Sequence, residues 1–464
     1  MVAVTDPLAL LGKAAAGLSL QTLPAEAVQR AKPRVLDTVG CLVAGYSVGI
    51  SDAIRSYVAA AGGAPEATLL PGGQKTTVAL AGLAHATYIH GLELSDAAPR
   101  GTCHPGNEIV PAALSMAERQ GRDGAAIIAS VVAGYEIEIR FGRTLFPSAN
   151  YVGWWTPGLF GTIGPAVTAA HLLGLNAEGI DNTIGIVVNL SPTCMAWANE
   201  EGNTIKWLIG GQACSTGVLA AEMAARGVKG MRDVVKGWIP VISKDCHPER
   251  LTEGIRADGT FEQWEILSGI LTKHYATVGP LTAALDATFA LIKEHDIHAD
   301  DVVEIHVDAM HRTAMFDKVH PENEIAARAS LAYCLALAVV TRDPGQLLGP
   351  GYSAEKLKDK TIWANAEKVK VTESDDYERQ YPDRSLAKVT LRLRNGKSYS
   401  HESDRSANPR YLRPTDADIE NKFRLIATPI LGQAKTDRVV TLVQKLETLP
   451  DTRELIDALR LPKA

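Results

Sequence analysis

Cys103, His104, Pro105 and Gly106 stand directly ahead of an apolar run in GTCHPGNEIVPAALSMAE, residues 101–118. Proline suits the first turn of a helix, where the amide hydrogen it lacks has no helical partner, and Glu108 falls in the same turn. A helix N-terminus offers partial positive charge and free N–H groups. An imidazole placed there is biased toward its neutral form and is suited to accept a proton. The bland alternative is a histidine that caps the helix or bonds a neighbouring loop. Upstream, HGLELSDAAPRG (residues 90–101) brings His90, Glu93, Ser95, Asp96 and Arg100 into a short stretch leading to His104. Such a stretch either gathers acid, base and cation at one cleft or is an ordinary solvated loop.

A cation comes from EGNTIKWLIGGQACSTG, residues 201–217, where Lys206 precedes an apolar segment and then Gly210-Gly211. An ammonium at that position either faces a ligand carboxylate or extends to water. YVGWWTPGLFGTIG (residues 151–164) clusters Tyr151, Trp154 and Trp155, and LTKHYATVGP (residues 271–280) contributes Lys273, His274 and Tyr275 near an expected domain junction. Aromatics there serve packing or a pocket, and the two are compatible. Glycines 158, 161 and 164 follow no strand and match neither a dinucleotide nor a P-loop fingerprint, so no nucleotide cofactor is expected.

Elements must hold these groups. The chain of 464 residues exceeds one ordinary core, and its 46% hydrophobic and 22% charged residues are those of a globular protein. Net charge is −6 with basic residues scattered, so no nucleic-acid or anionic-membrane footprint is present, and a small ligand is expected. Cys41, Cys103, Cys194, Cys214, Cys246 and Cys334 are widely spaced and never form CxxC. That spacing predicts reduced thiols, no metal and no iron–sulfur cluster. With no signal-like start and no long apolar stretch, a cytoplasmic location is expected.

To about residue 240 apolar residues recur at helical spacing, with small residues that allow close helix approach. Beyond about 265 the period changes. Val303, Ile305 and Val307 alternate with Glu304, His306 and Asp308, which predicts a half-buried strand, and KVKV hints at another. Ala387, Val389, Leu391 and Leu393 alternate before Asn395-Gly396, predicting a hairpin with a two-residue type I′ turn. Two apolar segments supply helices to cover one face of this small α+β sheet, and residues 417–464 return to helical periodicity.

The blocks RVLDTVGCLVAGY, HGLELSDAAPRGTCHPGNEIVPAALSMAE, VVAGYEIEIRFG, GTIGPAVTAAHLLGL, NTIKWLIGGQACSTGVLAAEMAARG, PLTAALDA and ARASLAYCLALAV follow one another along the chain. In content and order they resemble the MmgE/PrpD family, which includes 2-methylcitrate dehydratases, cis-aconitate decarboxylases and iminodisuccinate epimerase. The resemblance implies a large all-helical domain over 1–265, completed by 407–464, with an inserted α+β domain over 266–406 and its antiparallel hairpin near 386–401. It also implies a homodimer, no required cofactor, and a small carboxylic acid as substrate. The family's acidic loop corresponds to Glu93-Leu94-Ser95-Asp96-Ala97, its His-Pro histidine to His104 and its lysine to Lys206. These matches make Glu93, Asp96, His104 and Lys206 the catalytic set, with Arg100, Trp155, Lys273, His274, Tyr275 and Thr282 as the substrate-binding set. Trp155 and Thr282 stand where the family places two further histidines. Three functions are compatible with this pattern: a lyase that abstracts a proton α to a carboxylate or carbonyl, an epimerase or isomerase using the same carbanion, and a binder without turnover.

Overall fold

A computed structural model describes residues 6–101, 103–191 and 203–461; Cys194 lies outside the described residues. The longer helices that matter below are α1 (Ala25–Gly45), α2 (Val78–Leu92), α3 (Pro105–Gln120), α4 (Gly124–Leu145), α5 (Ile163–Leu172), α6 (Ile205–Ala225), α7 (Thr282–His295), α8 (Leu331–Thr341) and α9 (Asp416–Leu431). The chain divides into two compact units. One takes in residues up to 191, 207–271 and 415 onward; the other takes in 203–206 and 272–414.

The first unit is a helical bundle in which α9 packs on α1, α2 on α3, and α5 on both α3 and α4. Its middle helices are buried nearly all round: α4 is covered from Ile127 through Phe141 and on to Leu145, as expected for segments with no polar face. Small residues set the spacing. A methyl group at Gly211 of α6 would stand 2.3 Å from the Leu83 carbonyl oxygen, and one at Gly134 of α4 would stand 2.3 Å from Thr168 Oγ1 on α5. Any side chain there would push the helices apart.

The unit boundary falls at 271/272 instead of 265/266, and backbone pairing explains the shift. Leu271 exchanges both N–H···O bonds with Ala97, at 2.7 and 2.9 Å, while the amides of Glu265 and Ile266 donate to the two Glu136 carboxylate oxygens at 3.0 Å each. Glu136 is also paired with Arg140 at 2.6 Å, both side chains fully buried. At the other end, 407–414 belongs to the second unit, because Tyr411 donates its hydroxyl to Asp286 and its carbonyl accepts from Thr272 N–H.

After a short hairpin of β1 (Ala67–Leu69) and β2 (Gln74–Thr76) in the first unit, the second unit holds a four-stranded sheet of β3 (Val302–Ala309), β4 (Val369–Glu373), β5 (Leu386–Leu393) and β6 (Ser398–Asp404), ordered β4-β3-β5-β6. β3 and β4 are parallel and the other pairs antiparallel. Helix α7 covers β5 and β6, and α8 packs on α7. The alternation expected on β5 is present, with Ala387, Val389, Leu391 and Leu393 buried. Two local expectations need correction. Val303 is 47% exposed and Val302 buried, because a register shift lies between Val302 and Glu304. The β5–β6 turn is also not type I′. Of Asn395 and Gly396 only the glycine has positive φ, at 82°, and Gly396 N–H bonds to the Leu393 carbonyl while Leu393 N–H bonds to Lys397. This is the longer turn with glycine at the left-handed position. Among the described residues no helix is long and apolar enough to cross a membrane.

Candidate active site

Helix α2 ends at Glu93, whose φ of 56° is left-handed and whose N–H bonds to the His90 carbonyl at 3.1 Å. This conformation is sparsely populated for a residue with a side chain, and it turns the chain sharply away from the helix axis. The next residues pair with Leu271, and a turn at Ala98–Gly101 brings the backbone back, with Ala98 N–H on the Cys103 carbonyl at 2.9 Å. His104 therefore returns beside Asp96, eight residues upstream, and its Nδ1 lies 2.8 Å from the Asp96 carbonyl oxygen.

A carbonyl oxygen only accepts. Nδ1 therefore carries the proton of the neutral ring, and Nε2 carries the lone pair. His104 is the N-cap residue of α3, with Pro105 as the first helical residue, yet its side chain makes no capping bond. The imidazole is half-buried, and its ring centre lies 6.1 Å from that of His90.

Asp96 organises this corner. Its side chain is buried, accepting from Tyr135 Oη at 2.7 Å on one oxygen and from the Gly106 N–H at 3.0 Å on the other. Burial pushes its carboxyl up, opposed by the nearby Arg34 guanidinium and by these hydrogen bonds. The aspartate thus pins the His104-Pro105-Gly106 turn from both its backbone and its side chain. Gly106 is required at that spot, since a methyl there would stand 2.5 Å from Thr38 Oγ1, 2.8 Å from Asp96 Oδ1 and 2.9 Å from Tyr135 Oη. Gly106→Ala is expected to cost about 1–3 kcal/mol, as overpacking does. Denaturant unfolding measures it, and an unchanged midpoint would mean the three oxygens yield freely.

The loop is held from the C-terminal end of the chain. Lys422 of α9 donates to the Leu94 carbonyl at 2.7 Å and pairs with Asp37 of α1 at 2.6 Å, with both side chains buried. Ser95 donates to Asn107 Oδ1 at 3.2 Å. Beneath lie two further carboxyls, Glu108 of α3 and Glu138 of α4, both wholly buried. Burial pushes each upward, and for Glu108 the neighbouring Glu138 adds to the rise. Tyr135 and Glu138 were not singled out in the sequence. The available signal was the run of acids in YEIEIR inside a helix that otherwise has no polar face.

The structure thus places Glu93, Asp96 and His104 in one loop of the helical unit, with Arg100 exposed on the turn that returns the chain. Trp155, half-buried, caps the short helix Thr156–Leu159 of the same unit. Lys206 is buried in the first turn of α6, four residues before Gly210. In the second unit Lys273 donates to the Thr277 carbonyl at 3.2 Å and His274 Nε2 to the Arg410 carbonyl at 2.9 Å. Tyr275 donates to Asp286 at 2.9 Å, an acceptor it shares with Tyr411, and burial raises both phenols. Thr282 is buried at the start of α7. Among the described residues no group of three or more His, Cys, Asp or Glu side chains is arranged to hold a metal ion. A depression of about 340 Å³ beside the helix Ser51–Ala61 is lined by Tyr46, Arg55, Leu69 and Gln74 and holds none of these residues.

Comparison with known proteins gives two family matches: the MmgE/PrpD N-terminal domain over residues 10–250 and the MmgE/PrpD C-terminal domain over residues 275–448. Similar curated proteins include the cis-aconitate decarboxylase of Aspergillus terreus, 23% identical over 475 aligned positions covering 97% of this chain and 94% of the relative. The cis-aconitate decarboxylases of Homo sapiens and Mus musculus are 23% and 21% identical. Each alignment covers 96% of this chain, with 93% of the human and 92% of the mouse protein.

Proposed function

The chain belongs to the MmgE/PrpD family, and on that premise we propose that it is a cofactor-independent lyase acting on a small carboxylic acid through a carbanion next to a carboxylate or carbonyl. The observation that carries this reading is the 2.8 Å bond from His104 Nδ1 to the Asp96 carbonyl at the mouth of α3. It fixes the ring and leaves the Nε2 lone pair as the proton-handling atom. The names of the relatives favour decarboxylation within the lyase class. In that reaction the C–C bond to one carboxylate breaks, carbon dioxide leaves, and the electron pair stays on carbon. A proton on His104 Nε2 then closes the new C–H bond, so each turnover consumes one proton. In a dehydration the same lone pair takes the α-proton and hydroxide leaves.

Lys206 is assigned to a substrate carboxylate, where an ammonium offsets the charge that develops on the carbanion. Asp96 and Glu93 set the loop, and Asp96 acts through His104 as a positioning residue. Arg100, Trp155, Lys273, His274 and Thr282 are retained as substrate-binding candidates. Tyr275 is assigned to support of Asp286, since its hydroxyl is already engaged there.

An epimerase is the second reading, favoured by Trp155 and Thr282 at positions where the family places histidines: epimerisation needs only removal and return of one proton. Incubation with cis-aconitate and related small acids in D₂O, followed by proton NMR and carbon dioxide release, separates the readings. A decarboxylase predicts deuterium in the product together with loss of carbon dioxide, and a dehydratase predicts loss of water with no deuterium required in the product. Exchange into unconsumed substrate with inversion would select the epimerase. A panel that shows neither, with some acid raising the melting temperature, would leave a binder.

A further inference from the structure

Glu108 and Glu138 have no surface open to solvent. Glu108 Oε2 and both Glu138 oxygens accept no hydrogen bond meeting normal geometry among the described residues, and Glu108 Oε1 has only Asn107 Nδ2, at a long 3.5 Å. The Cys103 thiol lies beside Glu138. Two adjacent buried carboxylates, both ionised, would repel each other and each carry a desolvation penalty of several kcal/mol. A proton kept on the pair would remove that cost and would add an O–H donor to the weak donor that the Cys103 thiol presents to Glu138.

The same pair borders the imidazoles. A methyl at Gly210 of α6 would stand 2.6 Å from His90 Nδ1, 3.2 Å from Glu108 Oε1 and 3.3 Å from Asn107 Nδ2. The glycine therefore leaves free the space on which a histidine nitrogen and a carboxyl oxygen both abut. On the other side of Glu138, a methyl at Gly164, in the first turn of α5, would stand 2.1 Å from Oε2, so the glycine lets that helix start close against the carboxyl. From His90 the next ring is His104, 6.1 Å between centres.

We propose that Glu108 and Glu138 hold one proton between them and exchange it with the His90–His104 imidazole pair through the space at Gly210, as an internal proton store for His104. The inference rests on the reading of His104 as the proton-handling group. In the transfer the Glu108 O–H bond breaks with its electron pair staying on the carboxylate, and an N–H bond forms on His90. His90 then passes a proton from its other nitrogen to His104, and the reverse sequence refills the store. Neither redox change nor a co-reactant is needed. The charged and titratable groups around the pair are Asp96 and Cys103 from the loop, His90 from α2, Tyr135 from α4 and Cys214 from α6. Arg34 and Asp37 of α1, with Lys422 of α9 on Asp37, stand behind Asp96. Burial and the acids nearby raise both glutamates and both thiols, which agrees with a proton retained on the pair.

Infrared spectroscopy and histidine NMR on the full chain test this without a substrate. At neutral pH the wild-type spectrum should contain a protonated-carboxyl C=O band that is lost in Glu108→Gln/Glu138→Gln, a pair of near-isosteric, uncharged replacements. Removing the negative charge should also lower the titration midpoints of His90 and His104, by about half a pH unit or more. A wild-type spectrum without that band overturns the proposal, and so does a band whose loss leaves both histidine titrations unmoved. Should the double variant fail to fold, the wild-type band and Glu108→Gln alone carry the same decision. Failure of every acid to turn over would defeat the lyase reading while these spectra still decide whether the proton store exists.

Discussion

His104→Ala is expected to lower turnover by about 10²- to 10⁴-fold, the usual worth of a positioned acid–base group, while the circular dichroism and unfolding midpoint stay close to wild type. The ring is half-buried, makes no capping bond to α3 and meets the Asp96 backbone carbonyl through Nδ1, so an alanine there leaves Pro105 and Gly106 in place to start the helix. What disappears is a lone pair at a fixed position beside a helix N-terminus. Asp96 provides the internal comparison: Asp96→Asn keeps the backbone carbonyl that holds His104 and an acceptor oxygen for the Gly106 amide, with Nδ2 donating to Tyr135 Oη, and should therefore lower turnover less than His104→Ala, since it alters only the support of the imidazole. The measurement is the initial rate of carbon dioxide release or of α-deuterium exchange. An unchanged rate in His104→Ala would remove the residue from the mechanism and with it the proposed chemistry.

Residue pattern reveals His104 because proline and glycine beside a histidine make sense only at the start of a helix, and α3 does begin at Pro105. The same pattern cannot reveal what Asp96 does. Its partners Tyr135 and the Gly106 amide come from α4 and from the helix start, and nothing local to an acidic loop encodes a contact across 39 residues. Glu138 was hidden for a related reason: within a helix read from its apolar faces an isolated acid passes for a solvent-facing residue, whereas the neighbouring helices enclose it. Helices α1 to α6 were legible because their apolar, small-residue runs can be satisfied only inside a bundle. The end of the helical unit was not, because it is set by the non-local pairing of Ala97 with Leu271 and by the amides that Glu136 captures. The turn after β5 departs from its two-residue expectation beside the contact of the Arg394 amide with the Asp301 carbonyl, 93 residues away in sequence.

Lys422→Met should give the largest loss of stability, about 3–5 kcal/mol in denaturant unfolding, the range for breaking one side of a buried ion pair. Lys422 and Asp37 have side-chain exposures of 5% and 1% at a separation of 2.6 Å, so the methionine leaves the Asp37 carboxylate with an unbalanced charge in the interior. Replacing both, as Lys422→Met/Asp37→Leu, should recover most of that loss, because well-packed apolar residues commonly substitute for a buried pair at little net cost. Turnover should behave differently. The ammonium also donates to the Leu94 carbonyl at 2.7 Å, one residue beyond the left-handed Glu93 and two before Asp96, and the double variant restores no donor there. The expected result is therefore a protein with near wild-type stability whose kcat falls more than its KM rises, since the slackened loop misplaces the Asp96 carbonyl that orients His104. Lys422→Arg, which keeps both charge and donor, should retain part of the rate. If stability and turnover recover together in the double variant, Lys422 serves the fold alone, and the acidic loop holds its shape without the C-terminal helix.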